Sequence, residues 1–397
     1  MACTNRRSWH RARRGAVALV PVPLCHRAAA MTRAETVIVG GGPAGSATAS
    51  GLAALGRDVV LIERTAKPHH KVCGEFLSVE TQTQLQRLGV DPSALGAVPI
   101  EQVAIHSSSR SAASALPFRA LSLSRYRLDD ALLRCAQNSG ARLRRNVAVK
   151  SVTPDGAGWN VLCDDGETIY CRHFVLATGK LGLRGVDDAR DGSLVGLKMH
   201  LRLSPGTRRA LEGRVELFFL DGSYIGLELI EDGIANLCFV LPRATVARLG
   251  SGWPALRGHL ASALPSLAER LEGAEPLWDK PLAVVCPTGG HLHRERGTAV
   301  YRVGDRLAHI PPFTGDGLAI ALASAALAVG HIRRGRPPDA YLAAARQLTA
   351  SPIRLASIIS GLARSSGGRN LMLGAAVCAP GLIGTIVRRT RLTLAAD

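Results

Sequence analysis

An α/β architecture is predicted, with a helix-flanked parallel sheet interleaved with a second, mainly antiparallel sheet. Three observations carry it. Apolar β-branched runs alternate with Ala- and Leu-rich helical stretches towards both ends of the chain. A glycine-rich turn joins the first such run to the first helix. The middle of the chain instead holds consecutive strand-like runs joined by short turns. At 397 residues the chain can bury two sizeable cores, and 47% hydrophobic against 20% charged residues describes a globular protein. No self-similarity at 20 to 50 residues is found, which excludes repeat architectures.

The first strand begins near Glu35 and enters Gly40-Gly-Gly42-Pro43-Ala44-Gly45, a G-x-G-x-x-G turn. Gly40 allows the tight turn, Gly42 lets backbone approach a pyrophosphate, and Gly45 lets helix and strand pack closely. The following helix offers unpaired N–H groups and a positive dipole end to phosphates. A second run, Asp58-Val-Val-Leu-Ile-Glu63, ends in an acid roughly 20 residues on, where a carboxylate bonds a ribose hydroxyl. Strand, turn, helix and acid together predict a dinucleotide site. Similar signals recur downstream, in a strand closing on Thr178-Gly179 and another closing on Gly304-Asp305. Ile310-Pro-Pro312-Phe-Thr-Gly315-Asp316-Gly317 then opens a small-residue helix. This arrangement suits a long ligand, with Asp305 on polyol hydroxyls and the N–H groups of 315–317 facing an electron-rich ring.

In this order the pieces resemble the flavoprotein superfamily of FAD-dependent aromatic hydroxylases and geranylgeranyl reductases. Arg125-x-x-Leu128-Asp129-x-x-Leu132 adds a match, and Lys71-Val-Cys73-Gly-Glu75-Phe-Leu-Ser78 is similar to the Cys-Gly segment of the reductase branch. The resemblance runs from Thr32 to the mid-C-terminus. It implies a Rossmann-like FAD-binding domain of the glutathione-reductase type, an interleaved, mainly antiparallel β-sheet substrate domain and a helical C-terminus. The implied cofactor residues are Gly40, Gly42, Pro43, Ala44, Gly45, Glu63, Arg64, Cys73, Arg125, Val149, Thr178, Gly179, Gly304, Asp305, Pro312, Gly315, Asp316 and Gly317. Glu63 is expected on the adenosine ribose, Arg125 near the pyrophosphate, Asp305 on the ribityl chain and 312–317 beside the isoalloxazine. Cys73, Glu75 and Pro312 are the catalytic candidates, and no metal is expected. NADH or NADPH is the implied electron donor. Thr178-Gly179 stands where aromatic hydroxylases carry Asp-Gly, which weakens the expectation of direct nicotinamide reduction. Trp253 and Trp278 stand alone, without the Trp-x-Trp-x-Ile-Pro segment of flavin halogenases, so halogenation is disfavoured.

The predicted domain plan treats residues 1–31 as an unstructured or over-long N-terminal extension. Its basic residues, apolar run and Ala28-Ala-Ala30 superficially resemble a targeting peptide, but Pro21 and Pro23 break the run. Residues 32–184 and 288–345 form a discontinuous FAD-binding domain, 185–287 the substrate domain, and 346–397 an apolar, basic helical segment. In the substrate domain, 194–202, 215–220, 224–230 and 234–240 read as strands, with Asp221-Gly222 as a hairpin turn. Lys198, His200 and Arg202 alternate onto one face, read as a solvated basic face before a substrate-anion clamp. Tyr224 is a further polar candidate.

The net charge of +18 invites a nucleic-acid reading, but the excess sits at the two chain ends and aromatics are only 4% of residues. Nucleic acid is excluded as a partner. The nine cysteines contain no C-x-x-C pair, which fits a reducing compartment without a zinc site. Cys135, Cys163, Cys171, Cys238 and Cys286 read as core residues. For the Cys73 loop two readings stand level: Cys73 touches the reactive face while Glu75 positions substrate or a proton, or Cys73 packs while Glu75 caps the helix starting near Ser78. Residues 371–387 are uncharged, interrupted by Pro380-Gly381 and followed by Arg388, Arg389 and Arg391. They read as two short helices, at most a peripheral membrane contact.

The resemblance implies first an NAD(P)H-using monooxygenase that hydroxylates an aromatic or polyketide-like small molecule with O₂, through a flavin hydroperoxide. The alternative is a geranylgeranyl-reductase-like enzyme saturating C=C bonds of a prenyl or lipid chain, favoured by the Cys73 loop and the apolar C-terminus. A non-catalytic FAD-binding lipid escort is a third reading. The expected partner is a small hydrophobic or aromatic substrate, and the expected location cytoplasmic, with membrane association through the C-terminus.

Overall fold

The computed structural model describes residues 31–392 except 109, 185, 187–191, 287–289, 294–296, 298 and 379–380. The leader-like segment 1–30 lies outside the described residues. β1 (Met31–Val39) enters the glycine turn, α1 (Pro43–Ala53) leaves it and β2 (Val59–Glu63) returns parallel to β1. Next come β3 (Phe76–Leu77), α2 (Val79–Arg87), β4 (Val98–His106), β5 (Ser111–Ser122) and α3 (Arg125–Asn138). β6 (Arg142–Arg145), β7 (Val149–Asp155), β8 (Gly158–Cys163) and β9 (Thr168–Leu176) complete the first half.

The middle of the chain supplies β10 (Leu194–Arg202), α4 (Pro205–Leu211), β11 (Gly213–Leu220), β12 (Ser223–Leu229) and β13 (Ala235–Pro242). Three helices follow, α5 (Arg243–Leu249), α6 (Trp253–Ala263) and α7 (Pro265–Arg270). Short strands β14 (Glu275–Pro276), β15 (Leu282–Cys286), β16 (His291–Leu292), β17 (Val300–Arg302) and β18 (Ala308–His309) lead to the C-terminal helices. These are α8 (Gly317–Arg333), α9 (Pro338–Ala363), α10 (Ser366–Cys378) and α11 (Gly381–Arg389).

The first sheet has the order β6-β2-β1-β9-β8-β7, with β17 also on β9. Its β6, β2, β1, β9 and β17 are mutually parallel, and β7 and β8 add an antiparallel meander. The central strands are apolar on both faces, as a strand covered on both sides requires. Ile38, Leu61 and Val175 face a core shared with α1 and α8, while Val37, Val39, Phe174 and Leu176 face the opposite core with Val152 and Val161.

The second sheet runs β14-β10-β13-β12-β11-β4-β5-β3, with β15 also on β10, and only its β11–β4 pairing is parallel. Its back face (Leu197, Met199, Phe218, Ile225, Leu227, Leu237, Phe239) packs on α6 and α7 through Trp253, Leu256, Leu260 and Leu267. The opposite face carries the polar alternate residues, and Tyr224, Gly226 and Glu228 on it line a cavity shared with Asp305 and Gly315.

Two structural elements cross the boundaries drawn from the sequence. The second sheet draws β3, β4 and β5 from residues 76–122, which the sequence plan gave wholly to the nucleotide domain. Its β4 pairs with β11 more than a hundred residues away, and no local composition records a pairing at that range. The boundary at 346 falls inside α9, which continues through Pro352 to Ala363. The change of composition there is a change of environment along one helix.

Candidate active site

The glycine turn is built by contact. A Cβ at Gly45 would lie 1.8 Å from the Gly40 carbonyl oxygen, and one at Gly40 would lie 2.3 Å from that of Ala177, at φ +110°. Gly42 is different, because its nearest neighbours are Arg125 Nη2 at 3.9 Å and Lys71 Nζ at 4.0 Å from the same construction. The N-terminus of α1 therefore opens onto two cations. Asp129 holds both: Arg125 Nε and Nη2 donate to it at 2.7 and 2.9 Å and Lys71 Nζ at 2.9 Å. Burial works against these charges, but the Arg125 guanidinium and Lys71 keep the Asp129 carboxyl below its usual range, and Asp129 holds Arg125 protonated. A helix N-terminus beside two fixed cations fits a pyrophosphate.

Glu63 ends β2 with Oε2 accepting from Gly41 N at 2.7 Å and Oε1 from Thr65 N and Oγ1 at 3.0 and 2.7 Å. The carboxylate is pinned beside the turn. Pro43, Ala44 and Gly45 are the buried first residues of α1. Gly304 packs its left-handed turn within 3.0 Å of Ala44 Cβ, measured from an added Cβ, which brings Asp305 to the same end of the sheet. Lys180, just after Thr178 and Gly179, faces Asp305, whose charge raises the lysine's pKa against the effect of burial. Pro312 opens a single 3-10 turn, and Gly315, Asp316 and Gly317 lead into α8. Glycine is required at 315, where φ is +72° and a Cβ would strike Phe76 at 2.6 Å. Arg64 follows β2 directly, and Val149 begins β7 at the far side of the first sheet, half-buried on its core.

The loop after β2 carries the most unusual backbone. Glu75 is a non-glycine residue at φ +58° and is fully buried. It accepts from Lys198 Nζ, pairs with His200 Nε2 at 3.1 Å and accepts from Arg125 N at 2.7 Å. Burial alone would raise the Glu75 pKa, but Lys198 and His200 bring it below the usual carboxylate range. Glu75 does not cap the helix after Ser78, because Ser78 does that itself by accepting from Thr81 N. Glu75 serves the first N–H of α3 instead. Lys198 and His200 are buried, so their expected solvated face is corrected: both side chains point inward because one acid on a facing loop partners them. Only Arg202 of the three is exposed. His70 stacks on Tyr126 and lies edge-on to His200, and burial, with His200 and Lys198 close by, takes its pKa down to about 4. His70, Glu75 and His200 are close enough to hold a metal, but the Lys198 ammonium already occupies the acid.

Above the glycine turns lies a cavity of about 420 Å³. The cofactor end contributes Cys73, Arg125, Lys180, Asp305, Gly315 and Gly317. The sheet contributes Val215, Leu217, Phe219, Tyr224, Gly226 and Glu228, and the C-terminal helices close the far side through Leu371, Met372, Ile386 and Val387. Arg391, just past α11, ties this cover down. It pairs with buried Asp316 at 2.5 Å and lies 4.8 Å over the Phe118 ring and 5.6 Å over that of Phe76. Burial outweighs Arg391 and pushes the Asp316 pKa up to about 7.

The structure thus gathers Gly40 to Gly45, Cys73, Glu75, Arg125, Asp305 and 315–317 at one end of the molecule. Sequence reasoning passed over Glu228 and Asn236. Asn236 Nδ2 donates to Glu228 Oε1 at 2.6 Å and to the Cys73 carbonyl at 3.2 Å. The signal was present as alternation: in Tyr224-Ile-Gly-Leu-Glu-Leu the non-aliphatic residues fall on one face.

A family model described as FAD binding domain matches residues 33–183. The menaquinone reductase of Mycolicibacterium smegmatis is 28% identical over 336 residues, covering 78% of each chain. Among solved structures, the flavin-dependent brominase Bmp2 superposes with a TM-score of 0.72 at 19% identity, over 90% of this chain and 93% of that one. A flavoprotein/dehydrogenase from Cytophaga hutchinsonii gives 0.74 at 16% identity, over 90% and 92%. These structural likenesses speak to the fold.

Proposed function

We propose that this chain, an enzyme of the FAD-dependent oxidoreductase superfamily, saturates C=C bonds in an apolar, prenyl-type chain. The cavity carries the reading, because its walls are mainly apolar, with Val103, Ile105, Val215, Leu217, Ile386 and Val387 lining its upper part under the C-terminal cover. Such a wall gives an extended hydrocarbon its binding energy and excludes water from the reacting bond. The relative named menaquinone reductase supports the same class, since menaquinone joins a flat quinone to a prenyl chain. Ile358, Leu362 and Leu371 are exposed large apolar residues on the C-terminal helices, whose Ile359, Ala363 and Leu371 line the cavity. No helix among the described residues is long and apolar enough to cross a membrane. A peripheral lipid contact here would let a long tail stay in the bilayer while its reacting bond enters the cavity.

Bound FAD would supply hydride transfer, with NADH or NADPH as the proposed source of electrons. The chain's own part is placement. The N-terminus of α1 with Lys71 and Arg125 would hold the pyrophosphate, Glu63 the ribose and Asp305 the ribityl hydroxyls. The α8 N-terminus would stabilise negative charge on the ring. Lys198 and His200 fix Glu75, and through it the Cys73 loop at the cavity floor.

A second reading, oxygenation of an aromatic substrate, is favoured by one cluster. Phe313 meets Phe219 and Tyr224 edge-on at 6.3 and 6.2 Å, walls that would hold a flat ring. One experiment separates the two. The FAD-loaded enzyme, chemically reduced without oxygen, is mixed with a short-chain menaquinone and the products are weighed. A gain of two hydrogens per saturated bond is expected. An unaltered prenyl chain, with oxygen added to phenolic substrates in air, would reverse the order of the two readings. A wall substitution gives an independent check. Leu217→Trp is expected to raise KM for the menaquinone by about tenfold, on the order of 1–2 kcal/mol of lost fit. The FAD absorbance should stay unchanged.

A further inference from the structure

Glu75 and Glu228 are both buried acids at this cavity, and their surroundings oppose each other. Glu75 has an ammonium, an imidazole and a backbone N–H. Glu228 has one neutral donor, Asn236, on Oε1 at 2.6 Å. The sheet register explains where it points: Tyr224, Gly226 and Glu228 alternate onto the cavity face of β12, with Asn236 directly across on β13. Gly226 between them leaves a notch in the cavity floor. A Cβ there would meet nothing closer than 3.8 Å, and Glu228 Oε2 is among those neighbours. A glycine inside a central strand leaves room for a ligand to come close to backbone.

We infer that Glu228 is a catalytic residue: as a neutral acid at the Gly226 notch, it gives the proton added to one carbon of the reduced bond. The inference rests on the C=C reductase reading. The other carbon takes the hydride that a reduced flavin would supply, so one hydride, which carries both electrons, and one proton balance the saturation. The Glu228 carboxylate then regains its proton from water, and the flavin its electrons from a nicotinamide donor.

The charges around Glu228 agree. Burial raises its pKa to about 8, against the Asn236 hydrogen bond and the Lys198 charge, which lower it, while the Glu75 carboxylate adds to the rise. Facing it are Lys198 from β10, Cys238 from β13, Tyr224 from its own strand and Glu75 from the loop. The cavity-facing residues of β11, Val215 and Leu217, are uncharged. Two acids whose environments push them apart divide into an ionised partner and a proton donor.

Infrared difference spectra of the FAD-loaded enzyme test the protonation directly. The C=O stretch of a protonated carboxyl is expected at neutral pH, disappearing as pH rises through about 8 and absent from Glu228→Gln. In single turnover with reduced enzyme and a short-chain menaquinone, Glu228→Gln is expected to lose about 100-fold or more of the saturation rate. Unchanged FAD content and melting temperature certify its fold. The alkaline limb of the wild-type rate profile should vanish with the residue. Wild-type saturation with an equally fast Glu228→Gln, or a Glu228 already ionised at neutral pH, overturns the assignment alone. A wild-type enzyme that saturates nothing overturns the reductase reading, and the assignment with it.

Discussion

Replacing Glu75 with alanine is expected to remove about 3–5 kcal/mol of folding stability, because it leaves a buried ammonium without a counter-charge. Lys198 is completely buried and Glu75 is its acid partner. The same acid holds His200 and the first N–H of α3, so three partners are stranded by one truncation. These bonds also hold residue 75 in the left-handed region, at φ +58°, against the preference of any side-chain-bearing residue. Thermal unfolding would read the loss as a melting point lower by roughly 5 °C. The double variant Glu75→Gln with Lys198→Met should regain much of it, since the stranded charge is gone. The pair also has a pH signature. The Glu75 pKa is lowered by folding, so its contribution is present above the ordinary carboxylate range and is lost as pH falls through the lowered value. Single-variant and double-variant melting points that coincide would show that the ion pair is not what holds the loop.

The second large effect is expected at Gly45. A valine there would put carbon within 1.8 Å of the Gly40 carbonyl oxygen, backbone that cannot step aside without opening the turn. Gly45→Val should therefore give protein that fails to retain FAD, or does not fold, read from the flavin absorbance of the purified chain. Gly56→Ala is the matching control. Its φ is +73° with nothing within 4 Å, so it should cost about 1 kcal/mol in backbone preference and keep the flavin. Flavin-loaded Gly45→Val protein would show that the close approach at this turn is dispensable.

The parts legible in the sequence are those set by local rules. Gly40, Gly42, Gly45 and Glu63 announce strand, turn, helix and acid within thirty residues, and β10 occupies the predicted 194–202. The two short helices expected there are present, over Ser366–Cys378 and Gly381–Arg389, with 379–380 outside the described residues. What escaped depends on distant segments meeting. Lys198 looked solvated because its acid, Glu75, lies more than a hundred residues earlier on a facing loop. β4 and β5 joined the second sheet through a partner equally remote. Glu228 drew no notice because an isolated acid in a strand gains meaning only from the glycine and asparagine beside it.

Arg391 anchors the cavity cover to Asp316, the residue that leads into α8. With FAD bound beneath this cover, the last helices would also insulate the reduced ring from oxygen. A chain ended before α10 is expected to let oxygen drain electrons from the reduced enzyme, seen as peroxide made without substrate. The tail of the polypeptide would then decide whether reducing power is spent on the substrate or wasted.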